Sequence, residues 1–182
     1  MGILLQFLAT KAIAPILGSI ILLTMGEHPV SLSKPKVVVK ADTIFIANRV
    51  ENGFPKELLE IIKSGTPVIL RLKVEGIDNI YFTHTVHYDL EKRTFGIKLE
   101  ENVVLTDEGE TVTDNEKKMT ELISYFSHIY ILAEKIPSSK KVTIRASLDP
   151  VKLDFLNEEE FDLMTLWDYR SPQQTIEVNL TE

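Results

Sequence analysis

The sequence predicts an α+β fold: an antiparallel β-sheet or sandwich of about six to eight strands, with one short and one long amphipathic helix, preceded by an N-terminal hydrophobic segment. Three observations carry this prediction. Apolar residues recur at every second position in several segments separated by short polar turns. They recur at helical spacing in two other segments. The first 25 residues contain a single charge, Lys11.

Residues 1–25 are typical of a secretory signal peptide or a membrane anchor. Lys11 divides them and leaves Ala12–Met25 as the longer apolar run, shorter than the roughly 20 helical residues that a bilayer core needs. An uncleaved anchor and a cleaved signal are therefore both open, and an amphipathic or buried N-terminal helix is the third alternative. Residues 26–35, with Gly, Pro and Ser, are predicted to be a linker. Residues 36–182 are predicted to form a single globular domain.

The first part of this domain reads as strands around a short helix. Lys36–Val50 alternates and is predicted to be extended. A short helix begins at Pro55, since proline is favoured in the first helical turn, and Gly65 ends it. Three further alternating segments follow: Pro67–Gly76, Ile80–Tyr88 and Thr94–Leu99. The short turns between them predict an antiparallel meander with one buried face.

The strongest helical signal lies between Asn115 and Lys135. Thr113 and Glu116 have the spacing of a capping box. Apolar residues then recur at helical spacing: Met119, Leu122, Ile123, Phe126, Ile129, Tyr130 and Ala133. The pattern predicts a helix of about twenty residues with one apolar stripe, which Pro137 ends.

The C-terminal part is less regular. Lys140–Asp149 and Gln174–Leu180 alternate and are predicted to be strands. Between them, three glutamates after Asn157 resemble a helix N-terminus. The aromatic residues of 158–170 instead share one face of an extended chain, and a strand is the preferred interpretation.

Charge and composition exclude several classes of protein. Of the 20 basic and 27 acidic side chains, only Lys11 falls in residues 1–25, so the remainder has a formal net charge of −8 against −7 for the whole chain. This balance argues against a nucleic-acid partner and against polybasic attachment to a membrane surface. The absence of cysteine excludes disulfides, thiol catalysis and thiolate metal sites. We predict no catalytic set, no cofactor and no metal site.

Four residues are weak candidates for binding or structural polar roles. Arg145 and Asp149 share one face of a strand, where they could hold a ligand carboxylate or order a neighbouring loop. The favoured interpretation is a surface or cross-strand ion pair of about 0–1 kcal/mol. His84 lies on an apolar strand face and is expected to be a buried neutral imidazole with one hydrogen-bond partner. His87 lies on the opposite face, so the two should not bind one metal. Trp167 is expected in the core, and would form an interface patch if exposed.

The order of elements resembles an exported bacterial family known only as a domain of unknown function (DUF4390-like). Three motifs carry the resemblance: GTPV at residues 65–68, V-x-I-R-x-x-L-D at 142–149 and L-x-x-x-W at 163–167. The similarity covers roughly Lys36 to Tyr169, with Thr66 where the family usually has valine. It implies export and a location in the cell envelope, and it brings no catalytic residues.

These observations favour a non-enzymatic extracytoplasmic domain, membrane-anchored or secreted. Its expected partner is an envelope or membrane protein, with membrane contact through the N-terminal segment. One alternative is a carrier of a small apolar ligand or lipid, with a pocket between the sheet and the long helix. The other is an enzyme of unrecognised class, which would need converging polar groups with perturbed pKa values.

Overall fold

The computed structural model describes residues 29–77, 80–101, 109–152 and 160–178. Along these residues the strands are β1 (Ser31–Leu32), β2 (Lys36–Lys40), β3 (Thr43–Glu51), β4 (Val68–Glu75), β5 (Ile80–Asp89), β6 (Thr94–Glu101), β7 (Thr111–Thr113), β8 (Tyr125–Leu132), β9 (Lys141–Leu148), β10 (Val151–Lys152), β11 (Glu160–Phe161) and β12 (Gln173–Glu177). The helices are α1 (Lys56–Lys63) and α2 (Glu116–Ser124), with 3-10 helices at Ala133–Lys135 and Leu163–Trp167. The predicted α+β class is confirmed. Eight of these strands have five or more residues.

The larger sheet contains six antiparallel strands in the order β12-β9-β4-β5-β6-β7. Its central strand, β4, pairs with β5 and β9, so that Leu72 lies between Phe82 and Ala146. The inward residues of β4 are fully buried: Val68, Leu70, Leu72 and Val74. The antiparallel pairing of β4 with β5 and of β5 with β6 confirms the predicted meander. It was predictable because alternation with one buried face fixes the register of each strand.

The smaller sheet is built around β3. Thr43 pairs with Lys40 of β2 on one side and with Leu132 of β8 on the other. At the far end of β3, Ser31 of β1 pairs with Glu51. The segment 26–35, expected to be a linker, therefore contains a short strand. The expected signal or anchor, residues 1–25, lies outside the described residues.

The smaller sheet and the two helices cover one face of the larger sheet. The layers share a single hydrophobic core. His84 of β5 stacks on Phe126 of β8 with ring centroids 3.9 Å apart, and α1 and α2 contact β5. The largest fully buried side chains of this core are Phe82, Phe126, Ile44, Ile46, Leu58, Ile62, Leu70, Leu72, Ile97, Met119, Ile123 and Ile129.

The long helix predicted for Asn115–Lys135 is wrong in its second half. Helix α2 begins after Asn115, whose side chain accepts a hydrogen bond from the backbone N–H of Lys118 at 2.9 Å. The predicted capping box is not the cap, since the Thr113 hydroxyl instead accepts from the N–H of Asn115. The helix ends at Ser124, and the chain continues as β8.

A β-bulge explains why β8 resembles a helix in the sequence. Asn48 pairs with Phe126, whereas Ile46 pairs with Ile129. A step of two residues on β3 therefore corresponds to a step of three residues on β8. Because of the extra residue, Phe126 and Ile129 both face the core at a spacing of three, which is also the spacing of a helical stripe.

The strand preferred for 158–170 is also wrong for most of its length. Residues 153–159 lie outside the described part, and β11 is followed at once by the 3-10 helix. The Asp162 carboxylate accepts from the N–H of Met164 at 2.9 Å and so caps this helix. Leu163 and Trp167 are buried four residues apart. A spacing of four satisfies both a strand face and a helical turn, so periodicity could not separate them.

Candidate functional site

Arg145 and Asp149 lie on the outer face of the larger sheet and do not pair with each other. The Asp149 carboxylate accepts from Nε of Arg71 at 3.0 Å and from its terminal nitrogen at 2.5 Å. Arg145 donates from Nε to Glu75 at 2.7 Å. The structure thus places both candidates in ion pairs with β4, Arg145 from β9 and Asp149 from the position that follows β9.

The register of β4 and β9 accounts for these pairs. Arg71 lies opposite Ser147, and Lys73 lies opposite Arg145. Asp149 and Glu75 are thus the diagonal neighbours, which long side chains can reach on one sheet face. The hydrogen bond to the Asp149 carboxylate raises the pKa of Arg71 above its ordinary value. These side chains keep between 25% and 40% exposure, so each pair is worth about 0–1 kcal/mol of stability.

A tyrosine and a lysine complete this surface. The Arg71 guanidinium lies 5.6 Å, and the Lys73 ammonium 5.8 Å, from the ring centroid of Tyr81 on β5. We call the resulting surface the ion-pair face: Arg71, Lys73, Glu75, Tyr81, Arg145 and Asp149. Each arginine already holds a carboxylate, so this face offers fixed charges of both signs in a defined pattern.

His84 is a structural residue of the core. Its Nδ1 lies 2.8 Å from the carbonyl oxygen of Ile123, and its ring stacks on Phe126 at an angle of 12°. Because a carbonyl only accepts, Nδ1–H is the donor, and it satisfies a carbonyl in the last turn of α2. His87 points to the opposite face, where Nδ1 lies 3.2 Å from Glu110. The expected separation of the two histidines is confirmed.

Trp167 belongs to the core, as expected. It is 3% exposed, and its indole N–H donates to the carbonyl of Gly53 at 2.9 Å. A Cβ on Gly53 would lie 3.3 Å from the indole ring and 2.6 Å from a methyl of Val50. The absent side chain lets the tryptophan fix the C-terminal segment to the connection between β3 and α1.

The sequence reasoning missed Asn48, the most connected buried polar residue described here. Its amide nitrogen donates to the Ser33 carbonyl at 3.2 Å and to the Gln174 side chain at 3.1 Å. Its oxygen accepts from the Arg49 N–H and the Ser33 hydroxyl. It thereby joins β3 to β12 in the other layer. A signal existed, since Asn48 is the one polar residue at an inward position of β3.

An open groove of about 440 Å³ lies where β3 ends beside α2. Its lining carries charges of both signs: Arg49, Val50, Glu51, Asn52, Lys117, Thr120, Glu121 and Ser124. In the described ranges, no three His, Asp or Glu side chains are grouped so as to hold a metal ion.

The fold and this surface define a two-layer α+β domain with a polar, ion-paired outer face. A scan of protein-family models, a search of curated proteins and a search of solved structures each gave no match. The resemblance to the exported family therefore stays a prediction. Among the residues that the structure describes, no helix is long and apolar enough to cross a membrane.

Proposed function

We propose that the chain is a non-enzymatic domain that works outside the cytoplasm, is tethered to a membrane by residues 1–25 and binds an envelope protein. The observation that carries this proposal is the apolar N-terminal segment, whose only charge is Lys11. The resemblance to an exported family is consistent with it. The first strand of the described residues begins at Ser31, so five residues of the chain, 26–30, separate this segment from it.

The ion-pair face is the surface proposed to meet the protein partner. It lies on the central strands β4 and β9, which are braced on both sides by other strands. Arg71 and Arg145 are held in place by carboxylates, so little side-chain entropy is lost when a partner binds. Arginine and tyrosine are enriched at protein interfaces. Their presence at Arg71, Tyr81 and Arg145 supports this assignment.

The alternative of a small-ligand carrier receives less support from the geometry. That function needs space between the sheet and its covering layer. Phe82 and Phe126, one from each layer, are fully buried against the shared core. The described groove lies instead at the surface, with charged residues in its lining.

The test is site-specific photocrosslinking in the full chain, in the cells that produce it. A photoreactive residue at Lys73 should capture one defined envelope protein, and one at Val112 on the edge strand β7 should not. The swap Arg71→Asp with Asp149→Arg keeps an ion pair but inverts its orientation. We expect the swap to abolish the crosslink and leave the thermal unfolding midpoint within a few degrees of the parent.

Two results would contradict this proposal. One is a crosslink at Lys73 that survives the charge swap, and the other is no defined crosslinked protein in the membrane fraction. The mass of the mature protein from that fraction tests the tether itself. We expect the mass of the full chain, residues 1–25 included. A mass that corresponds to a chain without residues 1–25 would mean that the segment is a cleaved signal.

A further inference from the structure

The outer face of the smaller sheet is apolar and aromatic. In one row across the sheet, Val38 pairs with Phe45 and Phe45 pairs with Tyr130. In the next row, Leu132 lies beyond Thr43. Val38 is 48% exposed, and Phe45 and Leu132 are each 38% exposed. An outward sheet face is normally polar, so a contiguous exposed apolar row indicates a surface that is covered by something else.

Basic side chains surround this apolar row. The Lys40 ammonium lies 5.9 Å from the Phe45 ring centroid, and the Arg49 guanidinium lies 5.3 Å from that of Tyr125. Lys36 is the third, on the edge strand β2. We call this set the cation–aromatic face: Lys36, Val38, Lys40, Phe45, Arg49, Tyr125, Tyr130 and Leu132.

The charge of this face is opposite to that of the chain. Between the rows of Lys40 and Arg49, the described outward side chains include three cations and no carboxylate. Along the chain, the acids Asp42 and Glu51 lie at the two ends of β3, and Glu121 of α2 lines the groove beside Arg49. The whole chain has a net charge of −7, so the basic side chains are locally segregated here. The net charge of the chain disfavours binding to an anionic surface, but the local arrangement of basic side chains on this face favours such binding.

The first strand of the described residues, β1, belongs to this same sheet. Ser31 is six residues after Met25, where the apolar segment ends, and six residues span at most about 20 Å. If the segment is in the membrane, the smaller sheet is held within that distance of the bilayer. A short tether of this kind gives a high effective concentration, so weak surface contacts are sufficient.

We propose that the cation–aromatic face lies on an anionic phospholipid surface. This inference rests on the membrane tether of the proposed function. Tyrosine is favoured at the level of the lipid headgroups, and lysine and arginine are attracted to anionic lipids. A second copy of the chain is a poorer occupant, because it would bring like charges together. With this face on the membrane, the ion-pair face on the opposite layer is directed away from it.

The test uses the absence of cysteine, which allows one label per chain. The full chain carrying Val38→Cys is labelled with an environment-sensitive fluorophore and reconstituted into phosphatidylcholine vesicles, with or without phosphatidylglycerol. With phosphatidylglycerol we expect a blue shift and quenching by lipid-borne quenchers, both reversed by salt. A label at Leu132→Cys should report the same change. A label at Lys73→Cys should remain aqueous.

Charge reversal separates the face from the tether. Each basic side chain at an anionic surface strengthens attachment about fivefold, so loss of two weakens it about 25-fold. Lys36→Glu with Lys40→Glu should therefore return the Val38→Cys label to an aqueous signal. The matched control is Lys92→Glu with Lys141→Glu, which makes the same charge change at exposed lysines elsewhere and should leave the signal unchanged.

Flotation with the vesicles distinguishes the two failures. A chain that does not float contradicts the tether, and with it the proposed function. A chain that floats while its Val38→Cys label stays aqueous overturns only the present inference. A blue shift of equal size in vesicles without phosphatidylglycerol also overturns the inference, because it means a contact that does not depend on lipid charge. A blue shift that appears without lipid and rises with protein concentration overturns it as well, because it means self-association.

Discussion

Replacement of Asn48 by alanine should be one of the most destabilising single changes of a polar residue in this domain. Asn48 is 1% exposed and satisfies groups on both sides of the core, including the Ser33 carbonyl and the Gln174 side chain. Asn48→Ala removes both contacts and leaves these partners in a partly buried setting without a replacement. Leaving such a group unsatisfied costs about 1–3 kcal/mol each.

We therefore expect Asn48→Ala to lower the free energy of unfolding by about 2–4 kcal/mol. For a chain of this size, each kcal/mol lowers the unfolding midpoint by roughly 2–4 °C, so the midpoint should fall by about 4–16 °C. Urea unfolding followed by far-UV circular dichroism measures the free energy of unfolding, and a thermal melt followed by the same signal measures the midpoint temperature. The matched control is Thr143→Ala, which removes an exposed hydroxyl–hydroxyl hydrogen bond with Thr175 and should cost under about 0.5 kcal/mol.

A double-mutant cycle tests whether Asn48 and Gln174 stabilise the domain through their hydrogen bond. If Asn48 and Gln174 act through one hydrogen bond, the cost of Asn48→Ala with Gln174→Ala is less than the sum of the two single costs. Residues in one network show coupling of about 0.5–3 kcal/mol. Additive costs, or an Asn48→Ala variant as stable as the Thr143→Ala control, would show that the polar bridge between the layers contributes nothing.

Two further predictions concern a tight contact and a titrating turn. Gly53→Ala should lower the free energy of unfolding by about 1–3 kcal/mol in urea melts, because the new Cβ would lie 2.6 Å from a methyl of the buried Val50. The control is Gly109→Ala, because Gly109 has open space around it. Equal stability of the two variants would contradict the steric argument. Asp89 should show a pKa below its ordinary value in NMR titration, because its carboxylate accepts the backbone N–H of Lys92. The folded-state pKa is the lower one, so the stabilisation is present above the unfolded-state pKa and is lost as the pH falls through the folded-state value. Asp89→Asn should remove this acid-dependent part, and an unchanged pH profile would count against it.

The regular part of the fold could be predicted because one buried face imposes a period of two. In β4, each of Val68, Leu70, Leu72 and Val74 is fully buried, and the polar residues between them face outward. The bulge in β8 broke that correspondence between sequence period and structure. A three-residue step between Phe126 and Ile129 was interpreted as a helix, although the residues are aromatic and β-branched and therefore also suit a strand.

The candidate residues show a second limit of sequence reasoning. That Arg145 and Asp149 point outward follows from alternation alone. The identity of their partners does not follow from alternation, because the order β12-β9-β4 places a strand from much earlier in the chain beside β9. Glu75 is 70 residues from Arg145, and Arg71 is 78 residues from Asp149. Only the topology brings these charges together.

The pairing of β1 with β3 connects the proposed membrane tether to the orientation of the domain. Ser31 pairs with Glu51, and the Ser33 N–H donates to the Arg49 carbonyl at 2.8 Å. The entry point is thus hydrogen-bonded to the strand that carries Phe45 and Arg49. If residues 1–25 are a membrane anchor, a free linker would let the domain rotate about that anchor, whereas a strand β1 that is paired with β3 restricts which surface can reach the bilayer. Loss of this pairing, for example through Ser33→Pro, should therefore weaken the salt-sensitive lipid contact of the cation–aromatic face while leaving flotation unchanged.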